Sequence, residues 1–189
     1  VDNYAKALEV MGFASHLGDT LLVSLLPSLA QVASCALAGY AFARFRFKLR
    51  GLWLACVLIT FIVPFPVLMV PTYTLYADYG MLGSLWTLLL PALTGQGLRS
   101  AIFVLIFMAF FSQTPRSLDE AARVDGSGET RVFLTIALPL AVPALITSFL
   151  FSFVWYWNET YLTSLYMGNA KMGDARSIST LVMELEKFE

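Results

Sequence analysis

Four carboxylates, Asp119, Glu120, Asp125 and Glu129, crowd one short stretch that also carries Ser117, Arg116 and Arg123. Carboxylates this close are the raw material of general acid–base catalysis, but that work needs a cleft that shifts a pKa. Nothing around them suggests one. Arg123 stands at helical spacing from Asp119 and Glu120, placed to pair with either, so the group reads as the solvated face of a helical hairpin. His16, the single histidine, reads as a polar residue of a loop or helix end. Cys35 and Cys56 sit in uncharged apolar stretches without the several closely spaced ligands a metal requires, and both are expected to be buried, inert thiols. No Gly-x-x-x-x-Gly-Lys-Ser/Thr run occurs. The chain is therefore expected to be no enzyme, with no catalytic residue, cofactor or metal.

Two other groups remain. Arg99 is the only charge in the long apolar segment 79–115, and a charge within the membrane marks a functional site by default. It either lines a pathway for an anionic or polar solute or snorkels to the outer interface. Trp155, Tyr156, Trp157 and Tyr161 form an aromatic bunch beside Asn158. One reading is the belt that anchors helices at lipid headgroups; the other is stacking on sugar rings, with Asn158 hydrogen-bonding to hydroxyls.

The elements that hold these residues follow from composition. Of 189 residues, 58% are hydrophobic and 13% charged, with a mean hydropathy of +0.72. A soluble domain carries about 45–50% apolar and about 25% charged residues, so lipid must be the solvent for much of this chain. A net charge of −1 says nothing for or against nucleic acid, but no Lys/Arg-rich run with interleaved aromatics occurs, so no nucleic-acid partner is expected. A spanning helix needs about 20 mostly apolar residues. Uncharged runs place four spans at about 20–43, 52–76, 97–111 and 134–157, with a short outer helix at 84–90 and a break at Pro91 and Thr94-Gly95-Gln96-Gly97. The chain starts at Val1 and stops at Glu189 in a polar stretch, and is expected to be a piece truncated at both ends.

Basic residues stay on the cytoplasmic side. Arg44, Arg46, Lys48 and Arg50 cluster after the first span, and Arg116, Arg123 and Arg131 follow the third, whereas 72–85 has no Lys or Arg. The segment beyond the fourth span then lies outside; its Lys171, Arg176 and Lys187 are accompanied by Asp174, Glu184, Glu186 and Glu189. Ala30, Ser34 and Ala38 recur at every fourth position, which lets another backbone approach. Pro64, Pro66 and Pro71 bend the second span, either for packing alone or to shape a translocation cavity.

The cytoplasmic connection, 114–135, is predicted to be a short helix, a tight turn and a second helix. Ser117 and Glu120 have the spacing of a capping box, Ala121 and Ala122 favour helix and leave a small-residue face, and Asp125-Gly126 ends the helix through a left-handed glycine. The second arm runs to Pro139, where the fourth span is expected to kink. A capped, charged hairpin facing the cytoplasm suits docking, although an ordinary well-capped loop would look the same.

Glu120-Ala121-Ala122, Asp125-Gly126, Phe133, Ile136 and Leu138-Pro139-Leu140 together resemble the EAA loop of ABC importer permeases, and the Asp-Gly pair and Leu-Pro-Leu ending resemble the carbohydrate-uptake branch. Ala38-Gly39-Tyr40-Ala41-Phe42-Ala43-Arg44, Pro64 with Val67-Leu68-Met69-Val70-Pro71, and Trp155-Tyr156-Trp157-Asn158 are similar to further stretches of the maltose-type smaller permease. Ser127 stands where the family usually has Ala, and Met108-Ala109-Phe110-Phe111 replaces a stretch that in many relatives holds a basic residue and Gln. The resemblance implies an all-α, polytopic transmembrane helical bundle of the type I importer permease kind, here a fragment with about four spans in the bacterial inner membrane. It implies two permease subunits around one pathway, ATP-binding cassette ATPase subunits, an extracytoplasmic solute-binding protein and a sugar substrate. Ser117, Glu120, Ala121, Ala122, Asp125, Gly126 and Pro139 would belong to the ATPase-coupling loop. The alternatives are an ABC permease for a glycerol phosphodiester, an amino acid or an osmolyte, an ATP-independent transporter or scaffold, and, weakest, a membrane enzyme.

Overall fold

The computed structural model describes residues 13–167, whose regular elements are all helices, with no strand among them. The charged residues expected beyond the last span, Lys171 to Glu189, lie outside the described residues. Helix α1 spans Phe13–Arg44, and His16, expected at a loop or helix end, lies near its start. Then come α2 (Arg50–Ile62), α3 (Phe65–Asp78), α4 (Trp86–Leu93), α5 (Ser100–Gln113) and α6 (Arg116–Val124). Helix α7 (Glu129–Leu140) leads into α8 (Val142–Trp157), followed by α9 (Thr160–Met167).

The long helix α1 is the hub, packing against α5, α8 and α4. Its lateral faces show why lipid suits it. Leu21, Leu22, Leu25, Leu26 and Leu29 point outward, whereas Thr20, Ser24, Ser28 and Gln31 are buried against the other helices. Polar inside and leucine outside inverts the pattern of a water-soluble bundle, because in hydrocarbon polar groups must find partners within the protein. The stretch His16–Arg44 is by itself long and apolar enough to cross a membrane, and up to four spans result if each bent helix pair is counted as one.

The small-residue stripe works as a contact surface at Ser34, whose hydroxyl donates to the Ala92 carbonyl at 2.6 Å. A close backbone approach follows five residues further on. A Cβ on Gly39 would stand 2.5 Å from the Phe107 Cβ and 2.8 Å from the Met108 backbone nitrogen, so only glycine lets α1 and α5 meet there. Next to that crossing, Tyr40 packs edge-on against Phe111 (5.3 Å between centroids) and at a tilt against Phe133 (4.9 Å).

The expected second span is two helices, α2 and α3, set at 101°. Val63 and Pro64 between them are extended; Val63 precedes a proline, which pushes it out of the helical region. No residue of α2 is fully buried, and Cys56 is exposed; the expectation that both thiols are buried holds for Cys35 only, because α2 lays Leu54 and Val57 against this chain's core and leaves Cys56 on an outer face. The short helix expected at 84–90 lies at Trp86–Leu93 with Pro91 inside it; the break expected at Pro91 and Thr94-Gly95-Gln96-Gly97 therefore begins only at Thr94, before α5. The entry to the fourth span also differs from expectation. Pro139 lies inside α7, preceded by a π-helical turn over Phe133–Ala137, which widens the helix where the proline ring would meet a carbonyl. The sharp bend, 76°, comes instead between Leu140 and Val142.

Candidate functional site

Helix α6 is an elbow between two bends. It meets α5 at 71°, with Thr114 extended before Pro115. Pro115, not Ser117, occupies the N-cap position, and no side-chain cap forms. The expected capping box is therefore absent: proline starts the helix two residues early with its preset φ, leaving Ser117 inside the first turn. The far end follows expectation. Gly126 has φ +82°, its N–H bonds to the Arg123 carbonyl at 3.0 Å, and the Ser127 N–H bonds to the Ala122 carbonyl at 2.9 Å, which is a Schellman closure.

The outer surface of α6 is open. Ser117, Leu118, Glu120, Ala121, Val124, Asp125 and Gly126 are exposed, Ala122 is half-buried, and Pro139 is exposed further along. Arg123 donates from Nε and Nη2 to both carboxylate oxygens of Glu129, at 2.7 and 3.0 Å, bracing the two arms across the glycine turn. That bidentate bond holds the Arg123 pKa above its ordinary value. Arg123 therefore pairs with neither Asp119 nor Glu120, because the turn brings Glu129 into a better geometry than helical spacing provides.

Asp119 is not a solvated carboxylate. It is the one buried residue of α6, and its Oδ2 lies 3.1 Å from Nε of Arg44 in the last turn of α1. The Arg44 Nη2 donates to the Thr114 carbonyl at 3.0 Å. One guanidinium thus ties the end of α1 to both sides of the α5–α6 bend. Sequence spacing could not show this pair, since its partners come from distant segments. It also puts the two basic connections at the same end of the bundle. At the other end, the Gly83 N–H bonds to the Tyr166 carbonyl, joining the segment free of Lys and Arg to α9.

Near that second end lie the residues considered for a solute path, and the structure joins two of them. Arg99, with φ +52° and an exposed side chain, places its guanidinium carbon 4.9 Å from the centroid of the Trp155 ring. Trp157 rests instead on Phe153, 5.6 Å between centroids, about 200° further round α8. Asn158 ends α8 and returns its amide to the Val154 carbonyl at 2.8 Å. The break that carries Arg99 is held by Gln31, a residue the sequence reading passed over. Gln31 Nε2 donates to the Leu98 carbonyl at 2.6 Å, its Oε1 accepts from Ser152 Oγ at 3.3 Å, and the Leu98 N–H donates to the Tyr156 hydroxyl at 3.3 Å. A lone Gln inside the apolar run 20–43 was the available signal, since buried amides in membranes bridge helices.

The family model described as Binding-protein-dependent transport system inner membrane component matches residues 35–185. The chain is 32% identical over 95% of its length to the Alpha-glucoside transport system permease protein AglG of Rhizobium meliloti, covering 47% of that protein. It is 30% identical to the Osmoprotective compounds uptake permease protein GgtD of Synechocystis, over 88% of this chain and 55% of that one. It is 32% identical to the sn-glycerol-3-phosphate transport system permease protein UgpE of Yersinia enterocolitica, over 86% and 56%. The chain thus spans about half the length of the curated relatives it matches. A crystal structure of a bacterial ABC transporter involved in the import of the acidic polysaccharide alginate has the same fold, with a TM-score of 0.77 at 19% identity, over 92% of this chain and 58% of that one.

Proposed function

This chain belongs to the binding-protein-dependent transport system inner membrane components, and from that premise we propose that it is part of the permease subunit of an ATP-driven carbohydrate importer. In this reading the spans at about 20–43, 52–76, 97–111 and 134–157 line or support the pathway, and the connection 114–135 couples it to an ATPase subunit in the cytoplasm. A second permease subunit and an extracytoplasmic solute-binding protein complete the assembly.

The observation that carries the reading is the elbow α6. A water-exposed helix, closed by a left-handed glycine and braced by Arg123 and Glu129, offers Glu120, Ala121, Val124 and Asp125 to a partner while its base is fixed to the bundle. Coupling needs such a piece: one face for the motor and a rigid connection to the helices that move. The test is cross-linking from Ala122→Cys in inside-out membranes holding the whole transporter. A cross-link to the ATPase subunit supports the reading; labelling of this cysteine by an impermeant reagent from outside intact cells overturns it.

Carbohydrate is favoured by the Asp125-Gly126 and Leu138-Pro139-Leu140 pattern and by the alpha-glucoside relative. A second reading, an anionic solute such as a glycerol phosphodiester, is favoured by the exposed guanidinium of Arg99 held over Trp155 and by the glycerol-3-phosphate relative. Competition of both solute classes against uptake by the full complex separates them.

A further inference from the structure

Helix α6 touches the rest of the chain in an unusual way. An amphipathic surface helix buries a stripe of apolar side chains, but α6 buries a single residue, and that residue is the carboxylate Asp119. Its covalent links to the bundle are bends: the 71° turn at Thr114-Pro115 and the glycine turn at Gly126, braced only by the solvent-exposed Arg123–Glu129 pair, which water screens. Bends absorb displacement. A push on the outer face of α6 would be lost in them unless something stiffer tied the helix to the core.

The tie present is Arg44. Its side chain and that of Asp119 are 3% and 4% exposed, so the pair sits in a low-dielectric setting where its attraction is weakly screened. Its hydrogen bond to the Thr114 carbonyl fixes the last residue before the bend. Arg44 closes the helix that packs on α5, α8 and α4, so any displacement of Asp119 acts directly on the hub. A buried ion pair is a poor device for stability alone, because apolar residues of similar volume do as well or better. What it provides is one fixed cation that holds the Thr114 carbonyl by a hydrogen bond and the Asp119 carboxylate by charge at 3.1 Å, an attraction that a pair of methyl groups cannot supply.

We propose that Arg44 and Asp119 are positioning residues that form a latch, transmitting motion of the elbow to α1 and so to the pathway. The inference rests on the coupling role of α6 argued above. It assigns to α1, rather than to the two bends, the main route by which that motion enters the bundle.

The test uses the complete transporter, with its second permease, ATPase and binding proteins, reconstituted in vesicles and scored as solute moved per ATP hydrolysed. A purely structural role lowers the amount of assembled complex but not that ratio. Asp119→Asn is expected to lower the ratio about fivefold or more, within the usual range of coupling between sites. The double variant Arg44→Met/Asp119→Leu fills the space without a buried charge and is expected to assemble and show the same loss. Asp119→Glu, which keeps the charge, is expected to retain most of the ratio. Ordinary coupling in the double variant, or an Asp119→Glu chain as uncoupled as Asp119→Asn, overturns the latch. Cross-linking of Ala122→Cys to the ATPase in the same preparations separates the two claims: if the cross-link forms but the double variant is normally coupled, the latch alone fails; if it never forms, the coupling role fails.

Discussion

Arg44 at the end of α1 and Asp119 in the elbow α6 lie 3.1 Å apart, with almost none of either side chain exposed. The pair joins two segments far apart in sequence and sets where the elbow sits on the bundle.

Removing one member should therefore cost more than removing both. Asp119→Ala leaves the Arg44 charge buried and unpaired, a loss of roughly 3–5 kcal/mol, whereas Arg44→Met/Asp119→Leu should stay near wild type. Thermal unfolding of the purified protein in detergent checks this, and equal losses in the two variants would contradict it.

At Gly126 the backbone is the only obstacle to a side chain, since a Cβ would meet nothing within 4 Å. The left-handed conformation costs an ordinary residue about 1–2 kcal/mol, but Asn adopts it more readily. Gly126→Val is expected to impair uptake by the assembled transporter strongly and Gly126→Asn only slightly. Normal uptake in Gly126→Val would remove the turn from the coupling path.

The Gln31 bridge makes a prediction about the opposite end. Gln31→Leu orphans the part-buried Leu98 carbonyl, at a cost of about 1 kcal/mol or more. Gly97→Ala should weaken the same junction, because its Cβ would stand 2.5 Å from the Tyr156 hydroxyl and 2.9 Å from Gln31 Oε1. Both variants should unfold at lower temperature in detergent, and in combination they should lose less than the sum of the two, since they break one network.

Arg99→Ala removes the cation from the face of Trp155 without touching the core. A change in tryptophan emission is expected from the lost contact, with a stability cost of roughly 0.5–1 kcal/mol. Uptake should fall if the solute is anionic and stay unchanged if it is a neutral sugar; the two solutes tested on the same variant decide which.

The sequence by itself determined the solvent and the plan. Charge depletion and the length of the apolar runs required membrane helices; the clusters at Arg44–Arg50 and at Arg116, Arg123 and Arg131 suggested which connections share a side; and Asp125-Gly126 marked the turn of the elbow. These are local properties, set by chain composition over a few turns and by the conformational range of glycine and proline. The tertiary structure alone decided that Asp119 is buried against Arg44, that Arg123 reaches Glu129, that Arg99 lies over Trp155 and that Gln31 holds the break beside it. The physical reason is the same in each case. A charge or amide in a low-dielectric interior pairs with whichever group the packing brings near, and helix crossings such as that at Gly39 bring together residues whose separation along the chain carries no periodic signal.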